Sequence, residues 1–445
     1  MRLPLAHSLL SLLLAAGVAS AEPYCAALQE EQTIAKTYRQ IAPIYSDAER
    51  GWIFANDQLR EDYALKDSAV HLLERIVEEI RARGMELAIV IPPPRPLVAG
   101  PDTRRGVLPP EAGYDAVRAA LSFQRMMRQI AETGAVAPNL LDAALAAETA
   151  GTPFYFQRDT HWTPSGAVRS AAALAEALEQ ASVPWITPAA DAPAPATDPF
   201  VEPGSLAEVA REVCGIEIGP ETTAAVRFPR PADAVGLLGD TPSDTARAAL
   251  VGTSFSDRYK RDALRVADAI AHATGMDVDN VSVSGGGALS AFEAYVLSGE
   301  IDAARHKLLI WEVPYTSAFK SVSGLRQILG ALQAGKGGAD LAPVALPDAD
   351  VARLALPAGL DPDTSVFGVR LERPGKARVK GVLHFDNGSR MKISLARSAH
   401  MPARAQSAPM YLSLAAAGTR RPVAIELSYD AAQMAGATVL LPRRP

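Results

Sequence analysis

Two short runs carry the residue types that acyl transfer needs. The first, Arg158-Asp159-Thr160-His161-Trp162-Thr163-Pro164-Ser165-Gly166, places an Asp two residues before a His. In extended backbone that spacing turns both side chains the same way, so the Asp159 carboxylate can hold the His161 imidazole in the tautomer that base catalysis requires. Thr163 and Pro164 then read as the N-cap and first position of a helix. Taken alone, the Asp-x-His pair is equally compatible with half of a metal site or an ordinary ion pair. The second run, from Ala248 to Asp257, ends a buried strand at Gly252 and continues with Thr253, Ser254, Phe255 and Ser256 before a helix. That geometry exposes a nucleophile at the C-terminal edge of a sheet, with N–H groups at the helix start available as oxyanion donors. Ser254 is the candidate; capping of the helix by Thr253, Ser254 or Ser256 accounts for the same residues. It is the two runs together that point to a Ser254, His161 and Asp159 triad.

Three further features lie near these runs. Ser284-Gly285-Gly286-Gly287 would let backbone approach a ligand closely, and it also reads as a turn. Tyr315 is a candidate hydroxyl contact for substrate, with core packing as the alternative. Arg258, one turn beyond Ser254, could clamp a carboxylate, although an exposed Arg in a first helical turn commonly has no such role.

The elements that must position these residues read as an α/β body. Apolar spacing predicts helices over residues 68–83, 113–133, 164–180, 258–275 and 289–298. Short buried strands are predicted over 86–91, 247–251, 281–283 and 307–311, the first stopped by Pro92-Pro93-Pro94. Alternation of this kind implies a largely parallel sheet whose strand ends carry the chemistry. Residues 187–204, rich in Pro and Ala, read as a surface excursion.

After Ala345 the pattern changes to alternating strands over 366–371, 377–385, 391–395, 410–414 and 423–429, a size that suits a small all-β sandwich. Its central hairpin has a testable register. A three-residue Asp386-Asn387-Gly388 loop with Gly388 left-handed aligns Val379 and Leu383 with Leu395 and Met391, whereas a two-residue turn would mix the faces. Arg378, Lys380, His384, Arg390 and Lys392 then share the opposite face. From Leu346 onward there are 14 Lys and Arg against 8 Asp and Glu, while the rest of the chain has 30 against 42. A basic module on an acidic body suits binding of a polyanion, and a solvated charged face is the plainer account.

Residues 1–21 read as a secretory signal, apolar from Ser8 to Val18 and cleaved after Ala21. Pro23-Tyr24 before Cys25 argues against lipid attachment, and no later stretch reaches the ~18 apolar residues of a membrane span. In an oxidising compartment Cys25 and Cys214 are expected to pair, removing roughly 4–5 kcal/mol of unfolded-chain entropy on the simple model. Two cysteines also speak against a cysteine-based zinc site. No metal, cofactor or nucleic acid enters this reading.

Gly51-Trp52-Ile53-Phe54, the run starting at Asp159, Gly252-Thr253-Ser254-Phe255-Ser256 and Ile310-Trp311-Glu312-Val313-Pro314 together resemble the AlgX and AlgJ family of alginate O-acetyltransferases, whose bodies are related to SGNH hydrolases with permuted motifs. The resemblance covers most of the chain to about Pro314. It implies Ser254 as nucleophile, His161 as general base and Asp159 as its orienting partner. The basic module resembles the carbohydrate-binding module of AlgX-type members, as does the pairing of an N-terminal cysteine with one in the body. The expected organisation is therefore a signal peptide (1–21), an SGNH hydrolase-like acetyltransferase body (22–345) and a β-sandwich module (346–445). The resemblance further implies acetylation of mannuronate in alginate during passage through the periplasm. The acetyl donor would come from an inner-membrane acetylation complex, alongside periplasmic alginate export proteins. An acetylesterase using the same triad, and a non-catalytic alginate-binding scaffold, are the competing expectations.

Overall fold

The computed structural model describes residues 22–100, 104, 107–108, 113–188, 194–228, 246–257, 266–335, 340–347, 349–415, 420–430 and 434–443. The expected signal segment and Arg258 lie outside them.

The body opens with an antiparallel hairpin, β1 (Ile44–Asp47) and β2 (Trp52–Ala55). Helix α1 (Asp67–Arg81) leads to β3 (Glu86–Val90), followed by α2 (Ala116–Glu132), α3 (Leu140–Thr149), α4 (Pro164–Gln180) and α5 (Ser205–Cys214). Next come β4 (Arg247–Val251), the single turn α6 (Ser254–Asp257), α7 (Val266–Thr274), β5 (Asp277–Asn280), α8 (Gly287–Leu297), β6 (Leu308–Glu312) and α9 (Val322–Ala334). The main sheet runs β3-β6-β4-β5, all parallel. Nearly every residue of β3, β4 and β6 is buried, because the helices linking parallel strands cover both faces. Their carboxyl ends bring Pro93, Gly252 and Glu312 to one edge.

Strand β5 lies just before the expected Val281–Val283. An edge strand with one neighbour needs no continuous apolar run, and Asp277-Val278-Asp279-Asn280 is mostly polar. Val281 and Val283 extend the pairing, donating to the carbonyls of Leu250 and Gly252. The excursion after Thr187 holds two short antiparallel pairings, Ala194–Pro195 with Val226–Arg227 and Phe200–Glu202 with Glu221–Thr223.

The C-terminal part is a two-sheet β module whose first strand, Leu341–Ala345, lies ahead of the expected start at residue 346. Strands β7 (Leu341–Ala345), β8 (Val351–Ala355), β9 (Val366–Arg370), β10 (Ala377–Phe385), β11 (Arg390–Arg397), β12 (Met410–Ser413), β13 (Pro422–Ser428) and β14 (Thr438–Pro442) form antiparallel sheets β7-β14-β9-β12 and β8-β13-β10-β11. Apolar residues of both sheets, among them Phe367, Val379, Leu395, Leu412 and Ile425, make its core. The hairpin register is the expected one: Val379 pairs with Leu395 and Leu383 with Met391, and Gly388 has φ +77°.

Body and module share helix α9, which rests on α1 and on β12. A Cβ at Gly330 would lie 2.7 Å from Leu412 backbone, so glycine lets helix and strand touch. Beside it, the Gln327 amide donates to both Glu293 Oε1 and Ala396 O, and its oxygen accepts from Ala396 N. Burial pushes the Glu293 carboxyl up to about 7, against the opposing pull of Gln327 and Arg397. The native state thus holds this proton more tightly than the unfolded chain. The associated stability, up to about 3 kcal/mol, is complete below the ordinary Glu value and is lost as pH rises through about 7. Glu293→Gln should therefore flatten the fall in melting temperature between pH 5 and pH 8, read by thermal denaturation beside the wild type.

Candidate active site

The three side chains singled out from two distant runs meet at the carboxyl edge of the sheet. His161 Nε2 lies 2.8 Å from Ser254 Oγ, and Nδ1 lies 2.6 Å from Asp159 Oδ1. Asp159 is fully buried, His161 is 6% exposed and Ser254 is half-buried, so the line runs from the interior outward.

Asp159 and His161 come together by a different route from the extended backbone expected. The chain bends through Arg158 to His161, and Asp159 Oδ1 also accepts the backbone N–H of His161 at 2.8 Å. This is an Asx turn, in which a short carboxylate bonds its own chain two residues on. Flanking segments close the loop: Tyr155 pairs with Trp162, and Thr163 N–H donates to Phe154 O. Thr163 caps α4 as expected, its hydroxyl accepting from Gly166 N at 3.0 Å. Phe255 packs against both the His161 ring and Trp162.

The second oxygen of Asp159 is held by α5. Ser205 N–H donates to Asp159 Oδ2 at 2.7 Å, while Leu206 and Ala207 N–H groups donate to Arg158 O. First-turn amides of a helix lack internal acceptors and favour negative charge, so this end of α5 stabilises an ionised Asp159. The other end of α5 is Cys214, joined to Cys25 by the expected disulfide.

Ser254 begins α6 immediately after β4. Thr253 and Ser256 direct their hydroxyls to Glu312 at the end of β6, leaving Ser254 as the hydroxyl that meets the imidazole. The glycine-rich loop is tied to the same turn, Ser284 N–H donating to Asp257 Oδ2 at 2.9 Å.

Two residues that the sequence reading left without a role support the site. Arg95, fully buried just after the triple proline, donates to Ile53 O, Gln58 Oε1, Phe156 O and Gln157 O. It welds the Trp52-Phe54 block to the loop that carries Asp159, with its guanidinium beside the Trp52, Phe54 and Tyr155 rings. The available signal was a cation directly after a buried strand's carboxyl end. The other is Glu312, whose fully buried carboxyl is pushed up to about 7 by burial.

Tyr315 does not meet the expectation of a substrate contact. Its side chain is fully buried near Arg95, and its carbonyl accepts from Arg60, so it belongs to the packing beneath the site. In the module, Arg378, Lys380, Arg390 and Lys392 are exposed on the outer face of β10 and β11. His384 shares that face but is half-buried, 3.5 Å from Glu426. Register across β8, β13, β10 and β11 adds Arg353 to the same row as Glu426, Val382 and Lys392. Among the described residues no cluster of His, Cys, Asp and Glu is placed to hold a metal ion. No helix among them is long and apolar enough to cross a membrane.

Residues 47–315 match the family described as SGNH hydrolase-like domain, acetyltransferase AlgX. The alginate biosynthesis protein AlgX of Pseudomonas putida is 30% identical over 333 residues, covering 71% of this chain and 66% of that protein. This chain therefore spans just under two thirds of that relative's length. The probable alginate O-acetylase AlgJ of the same organism is 25% identical over 277 residues, covering 59% of this chain and 67% of AlgJ. In fold, the solved structure of Pseudomonas aeruginosa AlgX matches with a TM-score of 0.69 at 24% identity, over 94% of this chain and 98% of that one.

Proposed function

This chain belongs to the family of SGNH hydrolase-like acetyltransferase domains of the AlgX type, and from that premise we propose that it transfers acetyl groups to mannuronate hydroxyls of alginate in the periplasm. The observation that carries the reading is the unbroken line from Asp159 through His161 to a half-buried Ser254.

In the first half-reaction His161 Nε2 takes the proton from Ser254 Oγ as Oγ attacks the acetyl carbonyl. Asp159 keeps the remaining ring proton on Nδ1. The tetrahedral intermediate collapses to acetyl-Ser254, and the donor's leaving group departs with the proton returned by His161. Ser254 N–H, at the first position of α6, has no acceptor within its own helix and supplies one oxyanion donor. In the second half-reaction a sugar hydroxyl gives its proton to Nε2 and attacks the ester, and Nε2 returns that proton to Ser254 Oγ as the acetyl–Oγ bond breaks, which restores Ser254.

Water must lose that competition, and a bound acceptor wins it only at high effective concentration. The exposed Arg378, Lys380, Arg390 and Lys392, with Arg353, suit a polymer bearing one carboxylate per sugar, since guanidinium forks match carboxylates. The exported location follows from the leader read in residues 1–21. An inner-membrane acetylation complex is the proposed source of acetyl groups, and periplasmic export proteins the proposed neighbours.

The test is to incubate the protein with a small acetyl ester, with and without oligomannuronate, and to follow both acetate and sugar by mass spectrometry. Acetylated oligomer is expected. Acetate release that the oligomer neither redirects nor changes would make the protein an esterase instead.

A further inference from the structure

Beneath the nucleophile lies a buried carboxylate that the reaction as written does not use. Glu312 closes β6, which pairs in parallel with β4 up to Trp311 and Val251. The next residue on each strand is thus Glu312 beside Gly252, where the chain leaves the sheet for Ser254. Glu312 Oε2 accepts Thr253 N–H at 2.6 Å, and the Thr253 hydroxyl lies 3.0 Å from Oε2 and 3.1 Å from Oε1. Ser256 Oγ donates to the same Oε2 at 3.2 Å. A Cβ at Gly252 would lie 2.6 Å from Oε2 and 2.9 Å from the Glu312 Cβ, so a larger residue there would displace the Glu312 side chain.

We infer that Glu312 is a positioning residue for acyl transfer: its carboxylate holds the turn on both sides of Ser254, so that of three neighbouring hydroxyls Ser254 alone faces His161. The inference rests on Ser254 being the nucleophile. Glu312 is 1% exposed, and among the described residues no cation pairs with it. An apolar side chain would fill that place at lower desolvation cost but would leave Thr253 N–H and two hydroxyls without an acceptor. Asn280 completes the clamp from β5, its amide donating to Ser256 O at 2.8 Å. Displacing a reacting atom by about 1 Å can cost roughly 100-fold in rate, so a post that fixes this turn acts on the chemical step.

The experiment uses the full chain and the variants Glu312→Ala, Glu312→Gln and Thr253→Val. A fluorophosphonate probe reports the rate of Ser254 modification by intact mass, and acetyl transfer to oligomannuronate reports kcat and KM. Glu312→Ala should slow both modification and kcat by roughly 30- to 100-fold with KM unchanged. Glu312→Gln, which keeps an acceptor for Thr253 N–H, should remain within about 3-fold of wild type, and Thr253→Val should fall about 10-fold. Modification of Glu312→Ala at the wild-type rate overturns the inference, as does a folded Glu312→Gln that is as slow as the Ala variant. Where Glu312→Ala does not fold, Thr253→Val decides, and a wild-type rate there overturns it equally. A wild-type chain that the probe fails to modify at Ser254 removes the nucleophile reading itself, an outcome distinct from a reactive wild type with indifferent variants.

Discussion

Ser254→Ala is expected to lower acetyl transfer to oligomannuronate by roughly 10⁴-fold or more, with little change in melting temperature. The magnitude follows from loss of the nucleophile in a group that acts as a unit. The small structural effect follows because Ser254 is half-buried and, among the described residues, its hydroxyl bonds to His161 Nε2 and to no other side chain. The same reasoning predicts non-additivity, so His161→Ala placed on top of Ser254→Ala should cost almost nothing more. Acetylated oligomer counted by mass spectrometry measures both. Retention of more than about a tenth of the wild-type rate would mean that another group carries the acetyl or that the chain serves as a scaffold. Ser256 and Thr253 are the nearest substitutes, and both turn toward Glu312 instead of the imidazole.

What could be read in advance divides according to how local the cause is. Thr163-Pro164 announces α4 because an N-cap and a proline at the first helical position are decided by neighbouring residues. The β10–β11 register follows from alternation and a left-handed Gly388, again within one hairpin. The triad lies at the limit of such reading. Each half is ambiguous by itself, and the distance between Ser254 and His161 is set by sheet topology. Arg95 shows the next level of difficulty. Four of its partners come from Ile53, Gln58, Phe156 and Gln157, and nothing in the local run around Pro94 identifies them.

Helix α9 went unread for another physical reason. Residues Gly324 to Gln333 are all buried, since the body packs on one side and the module on the other. A helix enclosed in this way loses the polar face that would give it a period, and its two glycines lower its helix propensity further. Arg353 was missed similarly: its place on the cationic face depends on two intervening strands, β13 and β10. Strand β5 shows the converse, an edge position occupied by Asp277-Val278-Asp279-Asn280 because Arg247, Arg305 and His306 gather around Asp279.

Asp159→Asn is expected to lower acetyl transfer by roughly 10³- to 10⁴-fold while the chain stays folded. The reason lies in the donors that converge on this carboxylate. Asp159 Oδ1 takes the N–H and the Nδ1–H of His161, and Oδ2 takes Ser205 N–H. An amide has one oxygen for these two directions. With its oxygen toward Ser205, the Asn NH2 would face Nδ1 and force the imidazole proton onto Nε2, where it blocks acceptance of the Ser254 proton. With its oxygen toward His161, the NH2 would oppose Ser205 N–H at the start of α5, and either arrangement loses a charge-assisted bond at a helix end, for about 1–2 kcal/mol of stability. Activity should therefore fall by orders of magnitude against a shift of only a few degrees in melting temperature, a separation readable from acetyl transfer and thermal denaturation on the same preparation. A variant within about 10-fold of wild type would mean that α5 and the loop around Trp162 hold the His161 ring without Asp159. Asp159 would then serve the Asx turn and the α5 contact, and the proton would be handled by Ser254 and His161 alone.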